Sequence, residues 1–249
     1  MIEFNGVDET TFGLTVKNIT KSAMAPIENR IIRKTAGDGS FNFGSYFGNY
    51  EILVEFHDKV SPTPLAFFNN MLNINAWLYP LDKQAKVLTL TGAWGEGGLY
   101  HLAKVEGSTD ISTILEYGKF EVLFVCTDPF KKGASHTIAT LASPVVNAGT
   151  MLGRGIFTAT FSGTATQYNL LDVTTGYYIR FNYNFVLNDV LVLDTDKQSA
   201  YLNGTTNMLP YLDLTSRFFD IQIGSNTITD TSTPASRQVT SLVLSEQYL

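Results

Sequence analysis

The sequence predicts a mainly β protein of two β domains, and three observations carry that prediction. Apolar residues recur at every second position over many short stretches. Gly, Asn and Asp clusters interrupt those stretches about every ten residues. A single segment carries the spacing of an amphipathic helix. With no helices between the strands, antiparallel pairing is the default.

In the first half, Tyr50, Ile52, Val54 and Phe56 alternate with Glu51, Leu53 and Glu55, the mark of a half-buried strand. Phe120, Val122, Phe124 and Cys126 form a second, opposed to Glu121, Leu123 and Val125. Between them the spacing predicts a helix over about 63–78. Ser61, Pro62, Thr63 and Pro64 signal its start and Pro80 its end. Leu65, Phe68, Leu72 and Ala76 make one apolar stripe, and Phe67, Met71, Ile74 and Leu78 another. A helix with stripes that wide is expected to lie against a sheet.

In the second half, Phe157, Ala159 and Phe161 alternate with Thr158, Thr160 and Ser162. Tyr177, Ile179, Phe181, Tyr183 and Phe185 do so with Tyr178, Arg180, Asn182 and Asn184. Strands are further expected at Val190–Leu193, Ala200–Leu202, Phe218–Ile223 and Val239–Leu244. Turns are expected at Gly37-Asp38-Gly39, Gly92–Gly98, Asn203-Gly204 and Gly224-Ser225-Asn226, and a long surface loop over Ser225–Arg237. The polar run Lys131–Ser135 suits a domain boundary, giving domains 1–130 and 131–249.

Composition excludes whole classes. The chain has 249 residues, 44% hydrophobic and 16% charged, enough to bury a core without disulfides or metals. Charge density falls below the roughly 25% of ordinary soluble domains, so the surface is covered by Thr, Ser and Asn or by a partner. A net charge of −6 argues against a nucleic-acid reader, which needs a basic field. Before residue 131 there are 10 basic and 15 acidic residues, so the acidic excess sits mostly in the first half. The start, Met1–Gly6, lacks a basic, apolar leader, and no stretch approaches the ~18 apolar residues of a membrane span. The expectation is a soluble protein made in a cytoplasm.

No catalytic, cofactor or metal constellation emerges. Cys126, the one cysteine, ends an apolar strand and reads as a buried hydrophobe. His57, His101 and His136 fall in unrelated contexts without metal-ligand spacing. Asp194-Thr195-Asp196 lacks the downstream residues of a calcium loop and is better read as a hairpin turn. The glycines of 92–98 join two strands and do not open a helix, so they form no phosphate cradle. Arg30, Arg33 and Lys34, with Lys17 and Lys21 upstream, are the only basic run. They are either a solvated strand face or a contact with an acidic patch on another subunit. Tyr178, Arg180 and Asn182 share one strand face that could serve as a sugar-binding or docking surface.

The order of these features resembles the distal tail protein (Dit) family of siphophages infecting Gram-positive bacteria. In the first half the resemblance rests on Phe4-Asn5-Gly6-Val7, Phe12–Val16, the Tyr50–Phe56 strand, the helix closing on Ala76-Trp77-Leu78, and Gly118–Phe130. In the second half it rests on Pro144–Gly149, Val192–Thr195 leading to Tyr201–Gly204, and Phe218–Asn226. The resemblance implies an N-terminal split-barrel-like domain with one helix and a C-terminal galectin-like β-sandwich. It further implies a non-enzymatic homo-hexameric hub at the virion tail tip, assembled in the host cytoplasm, with DNA passing through its centre. Implied partners are the major tail protein or tail tube, a tail-associated lysin or tail fibre protein, and receptor-binding or baseplate proteins; no cofactor or membrane is implied. A carbohydrate-binding β-sandwich protein for host adsorption is the alternative. The acidic balance adds that a passage lined by carboxylates would repel phosphates and not trap them. Ring closure needs two different patches on each protomer, both expected in the first half, with the basic run a candidate for one.

Overall fold

A computed structural model describes every residue except 36, 37, 39, 60, 62, 108–110, 115, 116, 142, 143, 236 and 237, and omits the side chains of 64, 111–114 and 117. The chain divides into two compact units, Met1–Lys132 with Leu249, and Gly133–Tyr248. The first unit opens with β1 (Ile2–Phe4), β2 (Val7–Asp8), β3 (Leu14–Lys21), β4 (Ile27–Arg33), β5 (Ser40–Phe47) and β6 (Tyr50–Asp58). After α1 (Pro64–Leu78) come β7 (Lys86–Leu90), β8 (Tyr100–Glu106), β9 (Ile111–Ile114), β10 (Tyr117–Cys126) and β11 (Lys131–Lys132).

The main sheet of this unit runs in the order β2-β1-β7-β8-β10-β6-β3. Its centre is the antiparallel pair β6 and β10, in register from Gly118 opposite Asp58 to Cys126 opposite Tyr50. The alternation read from sequence is real: Tyr50, Ile52, Val54, Phe56, Phe120, Val122, Phe124 and Cys126 all point into one core. Helix α1 begins where Thr63 Oγ1 accepts the Ala66 N–H at 3.2 Å, with Pro64 in the first turn. It buries Phe67, Met71, Ile74, Trp77 and Leu78 in the same core. Trp77 donates to the Phe4 carbonyl at 2.8 Å. Asn70 donates to the Asp58 carboxylate at 3.0 Å and to the Phe12 carbonyl at 2.8 Å, which ties the middle of the helix to the end of β6 and to the turn before β3. Close approach is possible because Gly118 lacks a side chain: a Cβ there would collide with the Phe67 ring.

Only half of the expected helix packing occurs. The Phe67–Leu78 stripe is buried, but Leu65, Phe68 and Leu72 face away from the core. A single helix on one sheet can bury one face, and the second apolar stripe exceeds it.

The second unit contains β12 (His136–Ile138), β13 (Val145–Asn147), β14 (Arg154–Phe161), β15 (Ala165–Asp172), β16 (Tyr178–Phe185) and β17 (Val190–Asp194). Then follow β18 (Ser199–Leu202), β19 (Thr206–Asn207), β20 (Gly224–Asn226), β21 (Ile228–Thr233), β22 (Gln238–Ser245) and β23 (Gln247–Tyr248). A six-stranded sheet, β12-β22-β14-β17-β18-β19, and a three-stranded sheet, β16-β15-β21, share one core. Phe161 stacks on Phe185 at 4.1 Å, and Tyr168 reaches across to share a 3.0 Å hydrogen bond with Thr240. The Asn203-Gly204 turn forms as expected, both residues at positive φ between β18 and β19.

Two expectations fail here. Phe218–Ile223 is not a strand: only Ile221 bridges, to Gly153, although Phe219 and Ile221 are buried. Alternating apolar residues plug the core without joining a ladder. The loop expected over Ser225–Arg237 instead holds β20 and β21, so Gly224-Ser225-Asn226 is strand and not turn. Thr and Ser suit a half-solvated strand, with Ile228 and Ser232 turned inward. Arg237, Pro62 and the glycines of the 37–39 turn lie outside the described residues.

Candidate functional site

The basic run falls on a feature that the alternation pattern did not single out. Strands β4 and β5 form a two-stranded sheet of their own. Every residue of β4 is exposed, as is every residue of β5 except Phe47. Gly48 N–H closes the base on the Pro26 carbonyl at 2.8 Å, and Phe47 anchors it edge-on to Phe130 at 5.5 Å. The register shifts between Asn29 and Ile31, where Arg30 of β4 faces two residues of β5, Phe43 and Gly44, so the extra residue of the bulge lies on β5. Lys34 lies 5.3 Å from the centre of the Phe41 ring. Arg30 and Arg33 have no ion-pair partner among the described residues. Ile27, Ile31, Ile32, Phe41, Phe43 and Tyr46 are all more than half exposed. Tyr46 is held by Glu28, whose hydrogen bond and charge push the phenol above its ordinary range.

The outward face of the β8-β10-β6 sheet is acidic at its centre. Glu121 stands opposite Glu55, Leu123 is flanked by Glu106 and Leu53, and Val125 by Lys104 and Glu51. None of Glu51, Glu55, Glu106 and Glu121 has an ion-pair partner among the described residues. Lys119 lies beside His57 at one end of this face. Burial and the lysines Lys17, Lys59 and Lys119 hold the His57 pKa down.

A second polar cluster locks the glycine-rich segment. Glu96 accepts from Lys21 at 2.6 Å and from His101 Nε2 at 2.8 Å, and pairs with Lys131 at 3.2 Å. A carboxylate only accepts, so the proton of the buried imidazole sits on Nε2. Burial pushes the Glu96 carboxyl upward, but His101, Lys21 and Lys131 outweigh it and bring the pKa to about 2. Tyr50 stacks on His101 at 5.2 Å, and burial with the nearby Glu96 charge raises its phenol to about 12. Gly92, Gly97 and Gly98 take positive φ, which lets the segment double back to present Glu96. The cluster is a staple between β3, β8 and β11.

Tyr178, Arg180 and Asn182 lie on the outward side of β16, as their spacing predicts. Their groups hold the chain segment 212–217 along that strand. Tyr178 shares a 2.6 Å hydrogen bond with Thr215, and Arg180 lies 4.8 Å over the Tyr178 ring. Asp213 and Arg217 donate their backbone N–H groups to the carbonyls of Arg180 and Tyr178 at 2.9 Å each. Hydrogen bonds from Thr215, then the Arg180 charge and Asn182, draw the Asp213 carboxyl below its usual range. Beyond Asn182, which accepts from Gln167 at 2.9 Å, a shallow groove is lined by Thr166, Tyr183, Asn184 and Tyr211.

Cys126 is buried, and desolvation with the Asp128 and Glu96 charges raises its thiol to about 12. No group of three or more metal-ligating side chains occurs among the described residues. No helix among them is long and apolar enough to cross a membrane.

Residues 148–248 match the family described as Siphovirus-type tail component, C-terminal domain. The distal tail protein of Bacillus phage SPP1 is 30% identical over 138 residues, 53% of this chain and 52% of that relative. Its solved structure, described as a paradigm of the hub adsorption apparatus in phages infecting Gram-positive bacteria, aligns with a TM-score of 0.80. That alignment covers 100% of this chain and 98% of the other at 19% identity.

The chain is similar to distal tail proteins.

The sequence alignment spans about half the length of that relative, and the shared fold extends over all of it. The baseplate of phage P2 in its activated conformation with Ca contains a chain similar at a TM-score of 0.52, with 10% identity over 96% of this chain and 92% of the other. The proteins that this chain resembles are thus phage tail and baseplate proteins. Its mainly β fold with one helix is the one the sequence predicts. Sequence reasoning located the basic residues and missed the hairpin, because the adjacent pairs Ile31-Ile32 and Tyr46-Phe47 break a simple inward–outward alternation. The signal was present in an apolar stretch flanked by charges with no facing partner.

Proposed function

We propose that this chain is a structural, non-enzymatic hub of a phage tail tip, closing into a homo-hexameric ring between the tail tube and the tip components. The observation that carries self-assembly is the β4–β5 hairpin. A lone two-stranded hairpin is at best marginally stable in water, and this one presents apolar side chains on both faces. Such an element reaches its stable state only against a partner. Arg30, Arg33 and Lys34 on it form the cationic part of the subunit contact. The N-terminal domain, 1–130, builds the ring, and the C-terminal domain, 131–249, projects as the docking module. Its Tyr178, Arg180 and Asn182 ridge receives receptor-binding or baseplate proteins. The acidic face of Glu51, Glu55, Glu106 and Glu121 lines the central passage, where carboxylates repel the phosphates of passing DNA. Axial partners are the major tail protein and a tail-associated lysin or fibre protein, met during assembly in the host cytoplasm.

The test is the mass and image of the purified chain, alone and with tail-tube and tip proteins. Six-fold rings in negative stain are expected, and replacement of 27–47 by a short turn leaves monomers with an intact β6–β10 sheet. A chain that stays monomeric even with both partners ends the hub reading.

A further inference from the structure

The outer stripe of α1 is left uncovered by the described residues. Leu65, Phe68 and Leu72 are 72%, 67% and 62% exposed, and their spacing puts them on one line along the helix. None of the 15 residues of α1 is charged. A water-facing helix surface is normally charged or strongly polar. Here it carries three large apolar side chains with Asn69, Asn73 and Asn75 beside them. A charge-free patch holding an aromatic residue has the make-up of an interface core.

The hairpin offers a matching surface. Ile32 pairs with Phe41, and Phe43 follows two residues along the same strand, so Ile32, Phe41 and Phe43 share one face, with Ile27, Ile31 and Phe47 on the other. A 15-residue helix is about 22 Å long. Strands of seven and eight residues extend roughly 23–26 Å. Both surfaces are exposed in the same chain, so neither covers the other within one copy. A closed ring requires two unlike patches on each protomer. The outer edges of β4 and β5 have no ladder partner among the described residues. The helix asparagines supply donors and acceptors that can meet such open backbone groups.

We infer that the Leu65–Phe68–Leu72 stripe of α1 is the receptacle for the apolar face of the β4–β5 hairpin of the next copy. The inference rests on the ring reading and names its second patch. Arg33 is on the opposite hairpin face, Lys34 lies over Phe41, and Arg30 flanks the Ile32, Phe41 and Phe43 patch.

The experiment mixes two full-length variants. Phe43→Asp spoils the hairpin and leaves the stripe, and Phe68→Asp does the reverse. Both sites are exposed, so each variant is expected to melt as the wild type does. Alone, each is expected to stay monomeric where the wild type forms rings, with tail-tube and tip proteins added if the wild type needs them. Mixed, they are expected to form dimers and nothing larger, because one sound hairpin meets one sound stripe. In a second arm, a chain with Phe43→Cys and Phe68→Cys is treated with a short bismaleimide, Cys126 being buried. A ladder up to the full ring is expected, with no ladder from either single cysteine. Variants that assemble normally, a mixture without dimers, or rings without a ladder overturn the pairing and leave the hub standing. Wild-type chains that form no ring with their partners overturn the hub reading itself. A ladder joining Phe68→Cys to a tail-tube or tip protein assigns the stripe to that partner instead.

Discussion

Glu55 on β6 stands directly opposite Glu121 on β10, with Asn18 beyond Glu55 on β3 and no cation paired to either carboxylate among the described residues. Like charges at facing positions oppose sheet formation by roughly 0.2–1 kcal/mol. The arrangement is a local cost to the fold, and such costs concentrate where function requires them.

Replacing Glu121 by Gln is therefore expected to raise stability by about 0.2–1 kcal/mol. Thermal unfolding of the purified chain measures it. Infectivity of particles carrying Glu121→Lys is expected to fall, because a cation on this face holds phosphate. A destabilised Glu121→Gln chain contradicts the repulsion argument, and fully infectious Glu121→Lys particles contradict the passage assignment.

The Glu96 staple makes stability depend on acid. Its folded pKa of about 2 lies below the ordinary 4.5, so its stabilisation is complete above 4.5 and fades as pH falls towards 2. One pKa unit corresponds to about 1.4 kcal/mol, so the full contribution is on the order of 3 kcal/mol. Wild type and Glu96→Gln should differ most near neutrality and converge as the solution is acidified through that window. Parallel melting curves across the whole range would show that Glu96 is not the titrating group.

Gly118 offers a packing test. The Phe67 ring occupies the space that a Cβ on residue 118 would need, so Gly118→Ala forces helix and strand apart. A loss of about 1–3 kcal/mol is expected. Adding Phe67→Leu to Gly118→Ala should recover part of it. Denaturant titration of the single and double variants decides, and an unchanged midpoint for Gly118→Ala refutes the close contact.

Much of this architecture was legible because a strand buried on one face must alternate. Tyr50–Phe56, Phe120–Cys126, Phe157–Phe161 and Ile179–Phe185 all obey that rule. Alternation alone does not distinguish a ladder from a plug, which is why Phe218–Ile223 misled. Ser and Thr favour both loops and half-wet strands, so β21 read as loop. At the candidate site, the charges of Arg30, Arg33 and Lys34 were visible, but the isolation of their hairpin is tertiary information. The same holds for α1: two stripes show in the sequence, and only the fold selects Phe67–Leu78 as the buried one.

The segment 212–217 supplies the fourth prediction. Tyr178→Phe removes the 2.6 Å hydrogen bond to Thr215 while the backbone bonds of Asp213 and Arg217 remain. Global stability should drop by about 0.5–1.5 kcal/mol. Amide exchange at Thr215 and Ser216 should quicken, with β14 and β22 unaffected. Unchanged exchange in that segment would mean that Tyr178 does not hold it.

The β5 bulge opposite Arg30 bears on the life of a chain before it meets its neighbours. An open pair of strands invites further strands to add at its edges, which is the route to fibrous aggregates. The extra residue breaks the flat register, and Arg30, Arg33 and Lys34 place three like charges along one short ribbon. Newly made subunits are thereby kept apart from disordered stacking, and their solubility should fall on deletion of Gly44, which removes the bulge.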